Sequence, residues 1–211
     1  AGAQAYRLHG SGPQAEAKAI IAAQRLVESF HALNKNINCL EITEIDKSSS
    51  TLQMIKYFLI KGGTITCLRK AVKYAQKALN EINSSFSETH MEATSPPVSC
   101  AAMLSQKMGA SDIQTVMAAG LAGGIGLCGG ACGALGAAIW IVRMRGLREE
   151  GGKIEYKSPK ATAVVDRFLK CTDFEFECSK IVGRRFKNIT DHGAFLRDGG
   201  CSKIIETLAN E

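Results

Sequence analysis

The sequence lacks several signatures by which protein chemistry is usually recognised. It contains no Cys-x-x-Cys-His motif, which excludes covalent attachment of a c-type haem. It has no Ser-His-Asp signature and no recognisable motif of paired carboxylates, so nothing indicates a hydrolase. Aromatic residues make up only 6% of the chain and its 26 lysines and arginines are scattered, which is not typical of a nucleic-acid-binding protein. We therefore expect no nucleic-acid partner.

Residues 113–142 carry no charge, which raises the question of a membrane span. A span needs about 20 apolar residues, so this stretch is long enough. It contains eight glycines between Gly120 and Trp140, however, and each costs roughly 1 kcal/mol in a helix relative to alanine. Lipid offers no partner to the backbone groups that a broken helix frees. We therefore expect no membrane span, but two short buried helices joined at the glycines.

Part of this stretch, Gly124-x-Gly126-x-x-Gly129, formally fits the dinucleotide-binding fingerprint. That fingerprint requires a preceding strand, whereas the preceding residues are small and helical in pattern, so nucleotide binding is disfavoured. Glycines also let backbone approach another group closely. We expect the backbone at Gly124, Gly126 and Gly133 to lie directly against a bound cofactor.

The chain of 211 residues is rich in cysteine. A chain of this length buries a core without disulfide staples, so metal binding or thiol redox chemistry is at least as well supported as a disulfide framework. Metal or thiol chemistry is more usual in the cytoplasm than a disulfide framework, so a cytoplasmic location is slightly favoured. The sequence does not fix the compartment. The eight cysteines are Cys39, Cys67, Cys100, Cys128, Cys132, Cys171, Cys178 and Cys201.

Hydrophobic periodicity and capping residues predict an all-α protein, a helical bundle. Three cysteines come near predicted helix starts, namely Cys67, Cys100 and Cys201, and Cys178 follows a polar break. The segment after Cys39 is interpreted as a turn or short helix. The clearest helices are predicted at residues 13–33, from Thr51 to Gly62-Gly63, from about Thr64 onward, from the capping box Ser111-x-x-Gln114, at about 130–145, and at about 159–170.

The two ends of the chain share landmarks that indicate a partial internal repeat. Residues 27–30 precede Cys39 much as residues 165–168 precede Cys178, and residues 58–63 precede Cys67 as residues 195–200 precede Cys201. We therefore predict two related halves. Residues 1–80 form a partial repeat with Cys39 and Cys67, the Ser-, Thr- and Pro-containing residues 81–98 form a linker, and residues 99–211 form a complete redox or metal-type domain.

The C-terminal half contains, in order, Cys100, the glycine-rich residues 123–126, the motif Cys132-Gly133-Ala134, and Cys178 and Cys201. In this pattern it resembles the C_GCAxxG_C_C family of redox-active proteins, whose first cysteine, glycine-rich lead-in, central motif and last two cysteines these residues match in turn. The motif's final glycine falls on Ala137. The resemblance covers about residues 98–211 and implies a small helical protein with redox or metal chemistry on four thiols. Cys128 and Cys171 lie outside the pattern.

Two kinds of chemistry suit these thiols. Iron-sulfur clusters need about four thiolate ligands, which Cys132, Cys178 and Cys201 supply with Cys100 or with Cys128. Cys128 and Cys132 are four residues apart and share a face if one helix contains both. Without metal, redox disulfides join Cys178 to Cys201 and Cys39 to Cys67 most simply. Zinc in a structural module is a further alternative, and Cys171 is interpreted as a packing residue.

We therefore expect a soluble redox protein with an iron-sulfur cluster that transfers electrons to an unidentified redox partner. A metal-free thiol-disulfide protein, or a structural metal-binding module, is the alternative. His192 lies within ten residues of Cys201 and is a candidate ligand or proton donor, although a surface position is the default for such a residue. The half-site in residues 1–80 suggests a homodimer. Whether the protein is an enzyme in its own right is left open.

Overall fold

The computed structural model describes residues 1–43, 45, 49–60, 62–87, 96, 98–149 and 158–210. Within these residues the regular elements are helices, and the only β-type pairing is one isolated bridge between Ala131 and Glu177. The predicted all-α fold is confirmed. Two compact units are distinguished: unit 1 contains residues 1–24 and 89–211, and unit 2 contains residues 25–88.

The helices follow one another closely along the chain. They are α1 (Gly2–His9), α2 (Pro13–Asn34), α3 (Cys39–Thr43), α4 (Thr51–Ile55) followed by a π-helical turn (Lys56–Ile60), α5 (Gly63–Ser87), α6 (Cys100–Lys107), α7 (Asp112–Ala119), α8 (Gly133–Glu149), α9 (Pro159–Cys171), α10 (Cys178–Val182), α11 (Ile189–Arg197) and α12 (Ser202–Ala209). The first of them, α1, is a helix that sequence patterns did not indicate.

The glycine stretch interrupts the helical backbone as predicted. Helix α7 ends at Ala119, and α8 begins only at Gly133. Between them the chain passes through left-handed conformations at Gly123, Gly124 and Gly126, with φ values of 58°, 75° and 58°. An uninterrupted helix is impossible with such angles, and none of the described helices is long and apolar enough to cross a membrane. Two buried helices joined at the glycines are therefore confirmed.

Several predicted helix boundaries coincide with observed caps. The N–H of Ser111 donates to Oε1 of Gln114 at 3.0 Å, which is the capping box expected at the start of α7. The N–H of Ser50 donates to Oε1 of Gln53 at 2.8 Å at the start of α4. Gly62, with φ of 61°, precedes α5. Polar side chains and glycines at helix ends are local signals, which is why sequence alone located them.

The core of unit 1 lies among α2, α6, α8, α9, α11 and α12. Its largest fully buried apolar side chains are Ile20, Val98, Leu104, Val116, Ile141, Val164, Phe168, Ile205 and Leu208. Many of the remaining core residues are alanines, including Ala101, Ala118 and Ala137. Small side chains let the helices approach one another closely, so the first residues of several helices come together.

Unit 2 consists of the second part of α2 with α3, α4, the π-helical turn and α5. Phe30 of α2 meets Tyr74 of α5 edge to face with ring centroids 4.9 Å apart, and the Tyr74 hydroxyl donates to the carbonyl oxygen of Leu26. Helix α5 continues to Ser87, so residues 81–87 of the predicted linker are helical. Residues 88–95 and 97 lie outside the described residues.

The repeat and the domain division remain predictions. Residues 1–24 group with the C-terminal residues, whereas the predicted division placed them with Cys39 and Cys67. The paired landmarks also differ in detail, since Cys67 is the fifth residue of α5 while Cys201 immediately precedes α12. An aromatic ring lies against the last glycine of each landmark, but at Gly200 it is Phe195 of the landmark itself, whereas at Gly63 it is Tyr57, one residue before the landmark.

Glu16 in the first turn of α2 makes the stability of the protein depend on pH. Glu16 is only 8% exposed, and burial raises the pKa of its carboxyl from 4.5 to about 7. Because the folded state binds this proton more tightly than the unfolded state, the contribution of Glu16 to stability is fully present below pH 4.5 and is lost as the pH rises to about 7. The free energy of unfolding should fall by about 3 kcal/mol across this window.

The variant Glu16→Gln should lose this part of the pH dependence and be more stable than the native protein near neutral pH. Urea unfolding at about pH 5 and about pH 8 measures the difference. Identical pH dependence in the two proteins would show that the Glu16 carboxyl is charged and well solvated in the folded state.

Candidate functional site

Four cysteines of unit 1 stand at the beginnings of helices. Cys100 is the first residue of α6 and Cys178 the first residue of α10. Cys132 immediately precedes α8, and Cys201 is the N-terminal cap residue of α12. The first turn of a helix has backbone N–H groups without partners in the helix, and these favour negative charge nearby. Each of the four cysteine residues therefore stands at a helix end where backbone N–H groups lack partners within the helix.

The four thiols lie close enough to influence one another's ionisation. Burial raises the pKa of Cys178 and Cys201 to about 12, and the pKa of Cys100 and Cys132 also lies above its usual range because of burial. Neighbouring cysteines add to the effect. Cys132 raises the pKa of each of the other three thiols, and Cys178 raises that of Cys201. We call these four residues the cysteine cluster.

Backbone amides point at two of these sulfurs. The N–H groups of Ala134 and Leu135 in the first turn of α8 lie near the sulfur of Cys132, and that of Gly123 in the glycine stretch lies near the sulfur of Cys100. Both interactions lower the thiol pKa, but burial outweighs them. The isolated cluster therefore consists of protonated thiols surrounded by donors that suit the thiolate form.

Direct backbone pairing brings Cys132 and Cys178 together. The N–H of Cys132 donates to the carbonyl of Phe176 at 2.8 Å, and the N–H of Cys178 donates to that of Gly130 at 2.7 Å. The bridge between Ala131 and Glu177 lies between these bonds. Ser179 donates two hydrogen bonds to the carbonyl oxygen of Gly129, one from its N–H at 3.1 Å and one from its hydroxyl at 2.9 Å. Two distant parts of the chain are thus tied together at the cluster.

The remaining cluster residues are positioned by local geometry. The hydroxyl oxygen of Ser99 accepts from the N–H of Ala102 at 3.1 Å, which starts α6 at Cys100. The same hydroxyl donates to the carbonyl of Ala119 at 3.1 Å. Cys201 has φ of 63°, a left-handed conformation that non-glycine residues adopt at a cost of about 1 kcal/mol. Strain of this kind is found at functional residues when the surrounding structure imposes it.

The glycines predicted to face a cofactor lie against the protein's own backbone. A Cβ atom on Gly133 would overlap the carbonyl of Leu121, and one on Gly126 would overlap the backbone of Ala23 and Gln24. One on Gly124 would collide with Gly130. These glycines permit close packing around the cluster, and their role beside a cofactor stays a prediction.

Cys128 and Cys171 lie near the cluster without belonging to its pattern. Cys128 is half-buried, its thiol donates to the carbonyl of Gly124 at 2.7 Å, and it contributes to the raised pKa of Cys178. Cys171 contributes to the raised pKa of Cys132, and the Thr207 hydroxyl donates to its sulfur at 3.5 Å. Cys171 also lines an open cleft. Cys171 packs against the core of unit 1, in agreement with its interpretation as a packing residue.

Cys39 and Cys67, the other predicted redox pair, lie in unit 2. Both are exposed. The sulfur of Cys67 lies 3.6 Å from the hydroxyl oxygen of Tyr57. This contact is the main cause of a tyrosine pKa raised to about 12, and Cys39 also contributes to it. Both cysteines are thus neighbours of one tyrosine, and their pairing stays a prediction.

His192 is buried, so the default expectation of a surface histidine is wrong. The side chain is fully buried, and its Nδ1 lies 3.0 Å from the carbonyl oxygen of Val98, two residues before Cys100. The ring packs edge to face on Phe186 with centroids 4.7 Å apart, and burial lowers the histidine pKa. Its Nε2 has no hydrogen-bond partner among the described residues. Its ring anchors α11 to the start of α6.

The cysteines are all free thiols. In the part of the chain that the structure describes, no group of three or more Cys, His, Asp or Glu side chains stands ready to bind a metal ion. The arrangement is therefore a set of neighbouring thiols on converging helix starts, and not a preformed ligand shell.

Comparison with known protein families agrees with the location of this cluster. The model of the family described as "Putative redox-active protein (C_GCAxxG_C_C)" matches residues 98–211, which include all four clustered cysteines and more than half of the chain. In comparisons with curated proteins and with solved structures, nothing matches the chain significantly. On the strength of the family match and the cysteines that it covers, the chain belongs to the C_GCAxxG_C_C family of redox-active proteins.

Proposed function

We propose that Cys100, Cys132, Cys178 and Cys201 bind an iron-sulfur cluster and that the protein transfers single electrons through it. The observation that carries this proposal is the convergence of four neighbouring thiols on four helix starts, with three of them buried and Cys201 half-buried. Four cysteine thiolates are the usual ligand set of such clusters. A bound cluster would supply the one-electron chemistry, and the protein residues would supply the thiolates and their environment.

The chemistry of the donors fits an iron-sulfur cluster in three respects. Cys100, Cys132 and Cys178 are only 4%, 9% and 6% exposed, so water is largely kept from the sulfurs. The N–H donors on Cys100 and Cys132 suit sulfur atoms that carry negative charge. A bound cation offsets the burial that otherwise keeps these thiols protonated, and metal binding then releases their protons.

The same features are less suited to thiol-disulfide exchange within the cysteine cluster. Exchange requires an accessible thiolate. Three of the four thiols are buried, and the pKa of every one of them is raised by burial. A cofactor bound inside the cluster avoids this difficulty because electrons reach it without a reagent touching sulfur.

A metal-free disulfide protein is the second candidate. It is favoured by one observation, namely that the described residues contain no preformed metal-ligand group. In this case Cys178 and Cys201, which influence each other's ionisation, form the pair that oxidises. The candidate predicts two fewer free thiols after mild oxidation and no bound iron.

Anaerobic reconstitution separates the two candidates. We expect the protein, incubated with ferrous iron and sulfide under reducing conditions, to acquire a visible absorbance that bleaches when a one-electron reductant is added. A protein that stays colourless and free of iron, yet loses thiols reversibly on oxidation, would overturn the iron-sulfur proposal and support the disulfide candidate.

A further inference from the structure

Helix α5 of unit 2 carries apolar residues in a heptad pattern. They recur at alternating steps of three and four residues over three heptads. This period of about 3.5 residues is typical of a helix that winds around another helix, with the recurring residues at the a and d positions of each heptad. We call these residues the α5 seam: Ile65, Leu68, Val72, Ala75, Leu79, Ile82 and Phe86.

The α5 seam is exposed along most of its length. Its large exposed members are Ile65, Leu68, Val72 and Leu79, at 57%, 62%, 72% and 57% of their surface. Ala75 is exposed as well, whereas Ile82 and Phe86 near the end of the helix are half-buried. Single apolar residues on a surface need no explanation, but a continuous row of them indicates an interaction site.

A different side of α5 makes contacts within unit 2. The ring of Tyr74 packs on Phe30, and its hydroxyl donates to the carbonyl oxygen of Leu26. Cys67, one heptad before Tyr74, lies beside the hydroxyl of Tyr57. Cys67 and Tyr74 therefore share one heptad position, which lies outside the α5 seam. The helix is held to its own unit through this side, and the exposed part of the seam is left available to another molecule.

We propose that the α5 seam pairs with the α5 seam of a second copy of this chain, so that the two α5 helices form a two-stranded coiled coil. Each a or d side chain then fits into a space between side chains of the facing helix. Ile65 and Val72 at a positions with Leu68 at a d position form the combination that favours two strands. Both copies use the same surface, as in most protein dimers.

The distribution of charge on α5 permits this pairing. Arg69 is the single charged residue at the e and g positions that flank the seam. Ala71 and Ala78 occupy g positions, where their small side chains let two helices approach closely. The lysines of α5 are at the b and f positions, away from a partner helix: Lys70, Lys73 and Lys77. Two copies therefore meet without placing rows of like charge against each other.

The dimensions of the α5 seam suit a second helix. Residues 65–86 extend over about 32 Å of helix. A stripe confined to a and d positions is the narrow seam of a coiled coil, whereas a helix that covers a core has a broader apolar face. Each large exposed side chain of the seam presents on the order of 100 Å², and the smallest specific interfaces bury about 600 Å² on each partner. The exposed seam and its flanking residues together approach that area.

This inference does not depend on the iron-sulfur proposal, since the α5 seam contains none of the four proposed ligands. The test is sedimentation equilibrium of the full chain over a range of protein concentrations. A reductant is present throughout, so that the exposed Cys39 and Cys67 form no disulfides between molecules. We expect the native protein to be a dimer at micromolar concentrations.

Two matched variants show whether the α5 seam is responsible. Val72→Glu places a charge in the seam of both copies and should raise the dissociation constant of the dimer about a hundredfold. Thr66 is exposed on the same helix at a b position, so Thr66→Glu should leave the dissociation constant unchanged. Both variants should keep the helix content of the native protein, because both positions are exposed and glutamate is a good helix former. Circular dichroism checks this.

A native protein that stays monomeric at every concentration would overturn the proposal. Binding of that monomer to vesicles of anionic lipid, lost in Val72→Glu, would then assign the α5 seam to a membrane surface. A dimer that is equally stable in Val72→Glu would also overturn the proposal, because its contact would lie elsewhere. Iron content is measured on the same samples, so an absence of iron with the dimer intact counts against the iron-sulfur cluster alone.

Discussion

Replacing Cys132 with serine is expected to abolish the visible absorbance of the reconstituted protein. Cys132 is electrostatically coupled to each of the other three residues of the cysteine cluster. Two N–H groups at the start of α8 also favour its thiolate form. Changes around a metal ligand already cost about tenfold to a hundredfold in metal affinity, so loss of the ligand itself should cost at least as much.

Serine is a suitable replacement because it should preserve the fold. Cys132 precedes α8, where serine is a favoured N-terminal cap whose oxygen accepts from the same backbone N–H groups. The thermal midpoint of Cys132→Ser without iron should therefore stay close to that of the native protein without iron. Loss of absorbance is then attributable to the missing thiolate and not to unfolding.

Cys171→Ser is the matched control, because it removes a half-buried thiol near the cluster that is not a proposed ligand. It should retain the full absorbance. Cys128→Ser decides between the alternatives left open by sequence, since loss of absorbance there would make Cys128 a ligand in place of Cys100. An unchanged spectrum in Cys132→Ser would remove Cys132 from the site.

Replacing Gly133 with alanine is expected to produce the second large effect, on stability. A Cβ atom at Gly133 would overlap the carbonyl oxygen of Leu121 and lie 2.5 Å from its carbonyl carbon. Both obstructing atoms are backbone atoms, so neither yields by a change of rotamer. The start of α8 would have to move away from the glycine stretch, and with it Cys132. We expect a loss of about 3 kcal/mol in the free energy of unfolding.

Gly136 provides a control three residues along the same helix. A Cβ there meets only the side chain of Leu121, at 3.6 Å, which is ordinary van der Waals contact. Gly136 is exposed and lies inside α8, where alanine is favoured over glycine by about 1 kcal/mol. Urea unfolding should therefore show Gly133→Ala destabilised and Gly136→Ala stabilised. Equal midpoints for the two variants would mean that Leu121 does not pack against Gly133.

Sequence reasoning located the helices best where a local chemical signal marks their ends. Ser50, Ser111 and Gly62 are such signals, and the structure places helix boundaries at each of them. The glycine stretch was also interpretable, because glycine's effect on a helix is intrinsic to the residue. Helix α1 carries no comparable signal in its sequence, and it was missed.

The arrangement around the cysteines depends on contacts between distant residues, which periodicity does not encode. The backbone bonds that join residues 130–132 to residues 176–178 form a single bridge and have no alternating pattern. Burial of His192 follows from its contact with Val98, which is 94 positions away in sequence. The position of Cys171 in a cleft likewise results from the packing of α9 against α12.

Chemical analysis of iron and acid-labile sulfide tests the central claim most directly. The full-length protein is purified without air and both elements are counted per chain, with zinc measured on the same sample. We predict that iron and inorganic sulfide are both bound, and that both are lost in Cys132→Ser and retained in Cys171→Ser. Zinc alone, or neither iron nor sulfide after anaerobic purification and reconstitution, would contradict an iron-sulfur centre on Cys100, Cys132, Cys178 and Cys201.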